Sequence, residues 1–246
     1  MTRISVELVP RDIEVLKEEV KTIKEKLSDV DFINIPDLLS CDTRSWDGAN
    51  IAKAYFDDVV PHLRAMDFDF TKELPIKDKL REYNIKEVLV IEGDPPQSML
   101  YQVYPTISTD IIKKFSEEMP EITVYAGIDQ YRSSMKEEEY RIRRKQLAGA
   151  KGFFTQPFFD MRYLEMYADL LDGLDIYWGV SPVLSERSVS YWRNKNNVIF
   201  PKDFEPTLEW NIEFARKVIE FARKHNHNVY LMPIKQNNAI LRRCFR

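Results

Sequence analysis

Four stretches of this 246-residue chain set polar side chains among apolar neighbours, where they would be held in place. Glu7 interrupts the run Ile4-Ser5-Val6-Glu7-Leu8-Val9. In an extended chain it shares a face with Ser5 and Val9. A carboxyl between apolar walls has its pKa raised, which suits a general acid near neutral pH; a layer-filling or salt-bridging glutamate explains the spacing equally well. Glu92-Gly93-Asp94-Pro95-Pro96 follows the apolar Val88-Leu89-Val90-Ile91. It offers carboxylates beside a glycine that a ligand can approach, or else an ordinary Gly-Asp-Pro turn. Gln156 follows the aromatic Gly152-Phe153-Phe154-Thr155, and an uncharged amide beside aromatic faces suits a flat heterocycle, although core aromatics followed by a loop amide read the same way. Arg141, Arg144 and Lys145 share one helical face that can grip a diphosphate, although Glu137 and Glu139 stand four residues before Arg141 and Arg143, as on a solvated helix.

The elements that must position these residues alternate along the whole chain. Strands are expected at Ile4–Val9, Asp31–Ile35, Val59–Arg64, Glu87–Ile91, Ile122–Ala126, Gly152–Thr155, Leu174–Gly179 and Asn228–Met232. Helices are expected at Asp12–Leu27, Ile51–Asp58, Glu73–Tyr83, Thr109–Met119, Lys136–Ala148, Met161–Leu171, Ser185–Asn194, Thr207–His225 and Asn237–Cys244, with long loops at Asp37–Asn50, Asp94–Ser108 and Asn194–Thr207. Eight strand-helix units of about 31 residues each match a single-domain (β/α)8 TIM barrel over residues 1–246. A doubly wound open sheet shows the same alternation but more often carries a glycine-rich first turn, absent from Ser5 to Pro10. In a barrel the chemistry gathers at C-terminal strand ends, where Asp94 and Gln156 fall; Glu7 interrupts the first expected strand on a face where a barrel places packed side chains or a site.

Composition removes several function classes. Lys and Arg total 36 against 40 Asp and Glu, for a net charge of −4, which excludes a strongly basic nucleic-acid binder. No apolar stretch approaches the roughly 18 residues that span a membrane. Met1 to Pro10 is too short and too charged for a signal peptide, so a cytoplasmic location is expected, with Cys41 and Cys244 as structural thiols. Only 7 glycines occur, and neither GxGxxG nor GxxxxGK[ST] is present, which excludes Rossmann-type and P-loop nucleotide binding. No metal-ligand spacing is apparent.

Taken in order, the segments resemble the methylenetetrahydrofolate reductase family, flavin-dependent (β/α)8 barrels of one-carbon metabolism. Ser5-Val6-Glu7-Leu8-Val9-Pro10-Arg11 resembles that family's F-E-F-F-P-P-R, Pro61-His62-Leu63 its P-H-L, and Glu92-Gly93-Asp94 its R-G-D. Ala148-Gly149-Ala150 with Thr155 to Asp160 resembles A-G-A and T-Q-F-F-F-D, and Gly179 to Val183 resembles G-I-x-P-V. The resemblance implies reduction of 5,10-methylenetetrahydrofolate to 5-methyltetrahydrofolate through FAD, as in methionine biosynthesis. Glu7 would be the acid that opens the imidazolidine ring, Asp94 would sit between flavin and pterin, and Gln156 would hydrogen-bond the folate. His62, Gly93, Asp94, Tyr131, Arg144 and Lys145 would hold the cofactor; Gln156, Ser188 and Lys235 would hold the folate. The implied partners are a tetrahydrofolate-type substrate, NADH, NADPH or an electron-donor protein, and a second copy of the chain in a homo-oligomer. Departures fall at Glu92, where the family has arginine, at Pro36, where it has a hydroxyl residue, at Gly127 to Tyr131, and at Leu231 to Lys235, which lacks an N-R pair. These leave two alternatives open: a flavin-independent reductase using NAD(P)H directly, and a non-redox folate-binding accessory subunit.

Overall fold

The eight apolar strands close on themselves. A computed structural model describes residues 2–96, 98, 101–233 and 243–245. In it, β1 (Ile4–Glu7), β2 (Phe32–Ile35), β3 (Val59–Arg64), β4 (Glu87–Ile91), β5 (Thr123–Ile128), β6 (Gly152–Pro157), β7 (Ile176–Val180) and β8 (Asn228–Leu231) form a parallel barrel in sequence order. Pairing of Ser5 with Phe32 on one side and with Tyr230 on the other joins the first strand to the last. The helices are α1 (Ile13–Lys26), α2 (Ser45–Ala52), α3 (Lys77–Glu82), α4 (Ser108–Glu118), α5 (Met135–Ala148), α6 (Met161–Leu170), α7 (Glu186–Lys195) and α8 (Leu208–His225), the last two both between β7 and β8. This is a (β/α)8 TIM barrel.

Two apolar layers result from the period-two alternation of the strands. Phe32, Val60, Leu89, Tyr125, Phe154, Tyr177 and Tyr230, one from each of β2 to β8, fill the interior. Phe154 and Tyr177 stack at 4.1 Å there. The outward faces meet helix stripes such as Leu16, Val20 and Ile23 of α1, whose N-terminus is capped by Asp12 accepting from the Val15 amide.

Several boundaries differ from expectation. The helix expected at Ile51–Asp58 is α2, Ser45–Ala52, so the expected loop from Asp37 to Asn50 is shorter. Ser45, Gly48 and Ala49 resemble loop composition, yet all three are buried, because small side chains let this helix close on the barrel. The helix expected from Glu73 begins at Lys77; Pro75 disfavours helical backbone in the residue before it. β1 ends at Glu7 rather than Val9, and β6 continues through Gln156 to Pro157. Most of the helix expected at Asn237–Cys244, and Lys235 with it, lies outside the described residues. No helix among the described residues is long and apolar enough to cross a membrane, and they hold no cluster of three or more metal-ligating side chains.

Candidate active site

Glu7 ends β1 at the C-terminal mouth of the barrel, part-buried, on the same strand face as the buried Ser5. Burial pushes its carboxyl up from the ordinary 4.5 to about 7, opposed by a hydrogen bond from the Tyr230 hydroxyl to Oε2 and by the charge of Arg11. The neighbouring strand ends add two uncharged groups. Asn34, the register partner of Glu7 on β2, is wholly buried. His62 on β3 is 4% exposed, and burial lowers its imidazole to about 3, so it is neutral at any physiological pH.

Gln156 reaches the mouth through a local irregularity. The β6–β7 register shifts between Phe154 and Pro157, the kind of bulge that re-aims a side chain. Gly179 makes room for it: a Cβ there would lie 2.6 Å from the Thr155 carbonyl oxygen, and the Gly179 amide instead donates to Thr155 Oγ1 at 2.9 Å. The Gln156 carbonyl oxygen accepts from Gln130 Nε2 at 2.7 Å, which ties the bulge to the loop after β5.

Gln156, Gly93, Asp94, Arg144 and Lys145, separate in sequence, line one cleft of about 540 Å³ over the ends of β4, β5 and β6, with Glu92, Gly127, Asp129, Arg132, Glu138 and Arg141 among its other walls. Glu7 and His62 are not in this lining; they lie under the mouth on the β1–β3 side. The site therefore has two parts, a buried acid on one side and a polar cleft on the other.

The loop bearing Asp94 is fixed from below. Arg64, a buried β3 residue, donates from Nη2 to the Asp94 carbonyl oxygen at 2.7 Å and pairs with Asp67 at 3.5 Å. Gly93 has φ +87°, and a Cβ on it would meet Arg64 Nε at 3.0 Å. This glycine thus serves the turn and the packing of Arg64. The Asp94 side chain itself is exposed.

A dinucleotide that stays bound as a resident cofactor is gripped through unpaired donors to its diphosphate, and the cleft supplies few. Glu92 accepts from Ser108 Oγ at 2.7 Å and from the Ser108 amide at 3.1 Å, so its carboxylate already covers the N-terminus of α4. Lys145 is 8% exposed and donates to the Gly127 carbonyl oxygen at 2.6 Å; burial lowers its pKa, against the opposing charges of Glu138 and Glu92. Arg141 is held by Glu137 at 2.6 Å and Glu138 at 3.6 Å. Among the described residues, Arg132 and Arg144 are the exposed cations of the cleft, against the carboxylates of Asp94 and Asp129. These residues do not form a diphosphate cradle for a resident FAD.

Comparison with known proteins gives a consistent fold and one named relative. No family model matches the chain. It is 22% identical over 147 residues to 5,10-methylenetetrahydrofolate reductase of Buchnera aphidicola subsp. Schizaphis graminum (strain Sg), an alignment covering 58% of this chain and 50% of that protein. The chain thus spans half the length of that curated relative. Among solved structures it is similar to an uncharacterized protein from Clostridium thermocellum that binds two copies of 5-methyl-5,6,7,8-tetrahydrofolic acid, with TM-score 0.63, 13% identity, and coverage of 99% of this chain and 92% of that one. Oxaloacetate acetylhydrolase matches at TM-score 0.61 with 8% identity over 94% of this chain and 75% of that one. At such identities the structural matches speak for the barrel alone.

Besides His62, two more expected binding residues stand apart from the cleft lining. The Tyr131 hydroxyl donates to the Pro157 carbonyl oxygen at 2.9 Å, holding the β5 loop against the end of β6. Ser188 belongs to the first turn of α7, where Ser185 Oγ accepts from its amide at 3.2 Å and its own hydroxyl shares a 3.0 Å bond with Ser185 Oγ. Asn34, Arg64 and Tyr230 were not singled out from sequence. Asn34 and Arg64 carry the signal that marked Glu7, a polar residue in an otherwise apolar strand; Tyr230 carries none, since an aromatic in a strand reads as core.

Proposed function

We propose that the chain binds a reduced folate over the C-terminal mouth of the barrel and converts 5,10-methylenetetrahydrofolate to 5-methyltetrahydrofolate, with Glu7 as the proton donor. The observation that carries this reading is the place of Glu7, a carboxyl at a barrel strand end against the Tyr230 hydroxyl, where burial pushes its pKa up to about 7. The similarity to a methylenetetrahydrofolate reductase and to a folate-binding barrel supports the choice of substrate.

Protonated Glu7 gives its proton to the departing nitrogen of the imidazolidine ring. The carbon–nitrogen bond breaks toward that nitrogen and leaves an iminium carbon on the other. Hydride would then add to this carbon from a reduced nicotinamide dinucleotide that comes and goes as a co-substrate and is not held through its diphosphate: the folate gains two electrons, the nicotinamide loses two, and the carboxylate regains its proton from solvent. Gln156 offers one amide donor and one acceptor to the pterin, and Asp94 offers a carboxylate acceptor from the same cleft. Their part is to hold the ring in place relative to the acid and the donor.

The test is formation of 5-methyltetrahydrofolate with NADH or NADPH and no added flavin. Glu7 must be protonated to act, so turnover falls as pH rises through about 7. Glu7→Gln should abolish turnover with folate affinity retained. Folate binding without turnover in the native chain would move the assignment to an accessory folate-binding subunit, a reading favoured by the absent diphosphate cradle. Purified protein showing flavin absorption bands would restore FAD as the hydride carrier.

A further inference from the structure

Glu7 and Tyr230 form a pair that is met from two further strands and one loop. From β8, the Tyr230 hydroxyl donates to Oε2. From β2, the wholly buried Asn34 carboxamide approaches the same hydroxyl without reaching bonding geometry. From β3, the His62 ring stands edge-on to Tyr230 with centroids 6.3 Å apart, its Nε2 without a partner among the described residues. From the β1–α1 loop, Arg11 is the charged group that acts on the carboxyl. The phenol is wholly buried against this cluster, and Phe154 supports its ring edge-on at 5.2 Å.

We infer that Tyr230 is the positioning residue of Glu7: by donating to Oε2 it leaves Oε1 as the oxygen that carries and delivers the acid proton. The inference rests on the reading of Glu7 as the acid and adds which of its oxygens acts and what fixes it. A carboxylic acid has one proton and two oxygens, and an oxygen that accepts a phenolic hydrogen bond is the poorer place for that proton. Tyr230 cannot exchange roles, because burial and the neighbouring Glu7 charge hold its hydroxyl well above 10. It therefore keeps its own proton, and has it to donate, throughout the range in which Glu7 changes charge. His62 is neutral and Asn34 uncharged, so neither competes for Oε2 by charge. The bond also favours the carboxylate over the acid, opposing burial and keeping Glu7 able to lose its proton near neutrality.

The experiment is an infrared and carboxyl-carbon NMR titration of the full chain without folate, with Glu7→Gln to assign the signal. Tyr230→Phe keeps the ring and its packing. It should move the Glu7 midpoint upward by about one pH unit, the size of one hydrogen bond to a charged group, and raise the carbonyl stretch of the protonated acid. A fluorinated tyrosine placed at position 230 alone, a stronger donor of the same shape, should move the midpoint downward and keeps the test open should Tyr230→Phe fail to fold. In turnover, Tyr230→Phe should lower kcat more than it changes KM and shift the pH profile by the same amount as the midpoint. A Glu7 midpoint and stretch unmoved by either change would overturn the inference and leave the folate reading standing. A chain that shows both shifts but no folate binding would keep the Tyr230–Glu7 pairing and end the folate reading.

Discussion

The two mouths of this barrel carry the same kinds of side chain and treat them in opposite ways. At the N-terminal mouth, Glu87 pairs with Arg3 at 3.3 Å, Arg3 also reaches the Tyr125 and Tyr177 hydroxyls at 3.3 and 3.1 Å, and its guanidinium lies 4.4 Å over the Phe32 ring. Asp58 closes the group at 3.4 Å. At the C-terminal mouth, Glu7 meets a tyrosine hydroxyl but no paired cation, and buried Asn34 and His62 keep polar atoms unpartnered among the described residues. One end spends its charges on holding the barrel closed. The other keeps an acid at about 7 and leaves hydrogen-bonding capacity unused, at a cost in stability that a functional site explains better than a structural one.

The contrast breaks most sharply at Glu7. Glu7→Gln should lower folate turnover by about 10²-fold or more, as for loss of a general acid, measured as 5-methyltetrahydrofolate formed; full activity in this variant would remove the distinction between the two mouths. The same substitution probes stability with a defined sign. The folded chain holds the Glu7 proton more tightly than the unfolded chain, so unfolding releases it between about pH 4.5 and 7, and native stability falls as pH rises through that window. Glu7→Gln should therefore gain on the native chain by about 3 kcal/mol above pH 7 and lose that advantage near pH 4.5, as read by urea unfolding at several pH values. Arg3→Met acts at the other end: Glu87 loses its cation, and stability should drop by about 2 kcal/mol with the Glu7 midpoint unmoved. A shifted midpoint would mean that the two ends are coupled. The smallest effect is expected at Glu92. Glu92→Gln keeps one acceptor for Ser108 and removes charge from the α4 N-terminus, a loss of about 0.5–1 kcal/mol. FAD titration of this variant also sharpens the contrast, since uptake there but not in the native chain would identify the carboxylate as what excludes a diphosphate.

Much of the site was legible because each of its residues interrupts a local pattern. Glu7 interrupts one apolar strand and Gln156 follows another, and the barrel places strand ends such as that of Gln156 at one mouth; that Glu7 itself ends β1 became visible only in the fold. Arg144 and Lys145 were legible as a basic helical face, but only the folded chain separates them: Arg144 is exposed in the cleft, whereas Lys145 is buried against the Gly127 carbonyl. The role of Glu92 was not legible, because its partner Ser108 lies 16 residues away across a loop.

The sequence by itself determined the barrel, the end at which its polar residues gather and the absence of a glycine-rich nucleotide loop, since strand and helix periods and turn residues are short-range properties of the chain. Only the tertiary structure decided that the Glu7 carboxyl is pushed up to about 7 rather than held in a salt bridge. That outcome needs desolvation by the closed barrel and a hydroxyl 223 residues away on the last strand, neither of which exists until β8 pairs with β1.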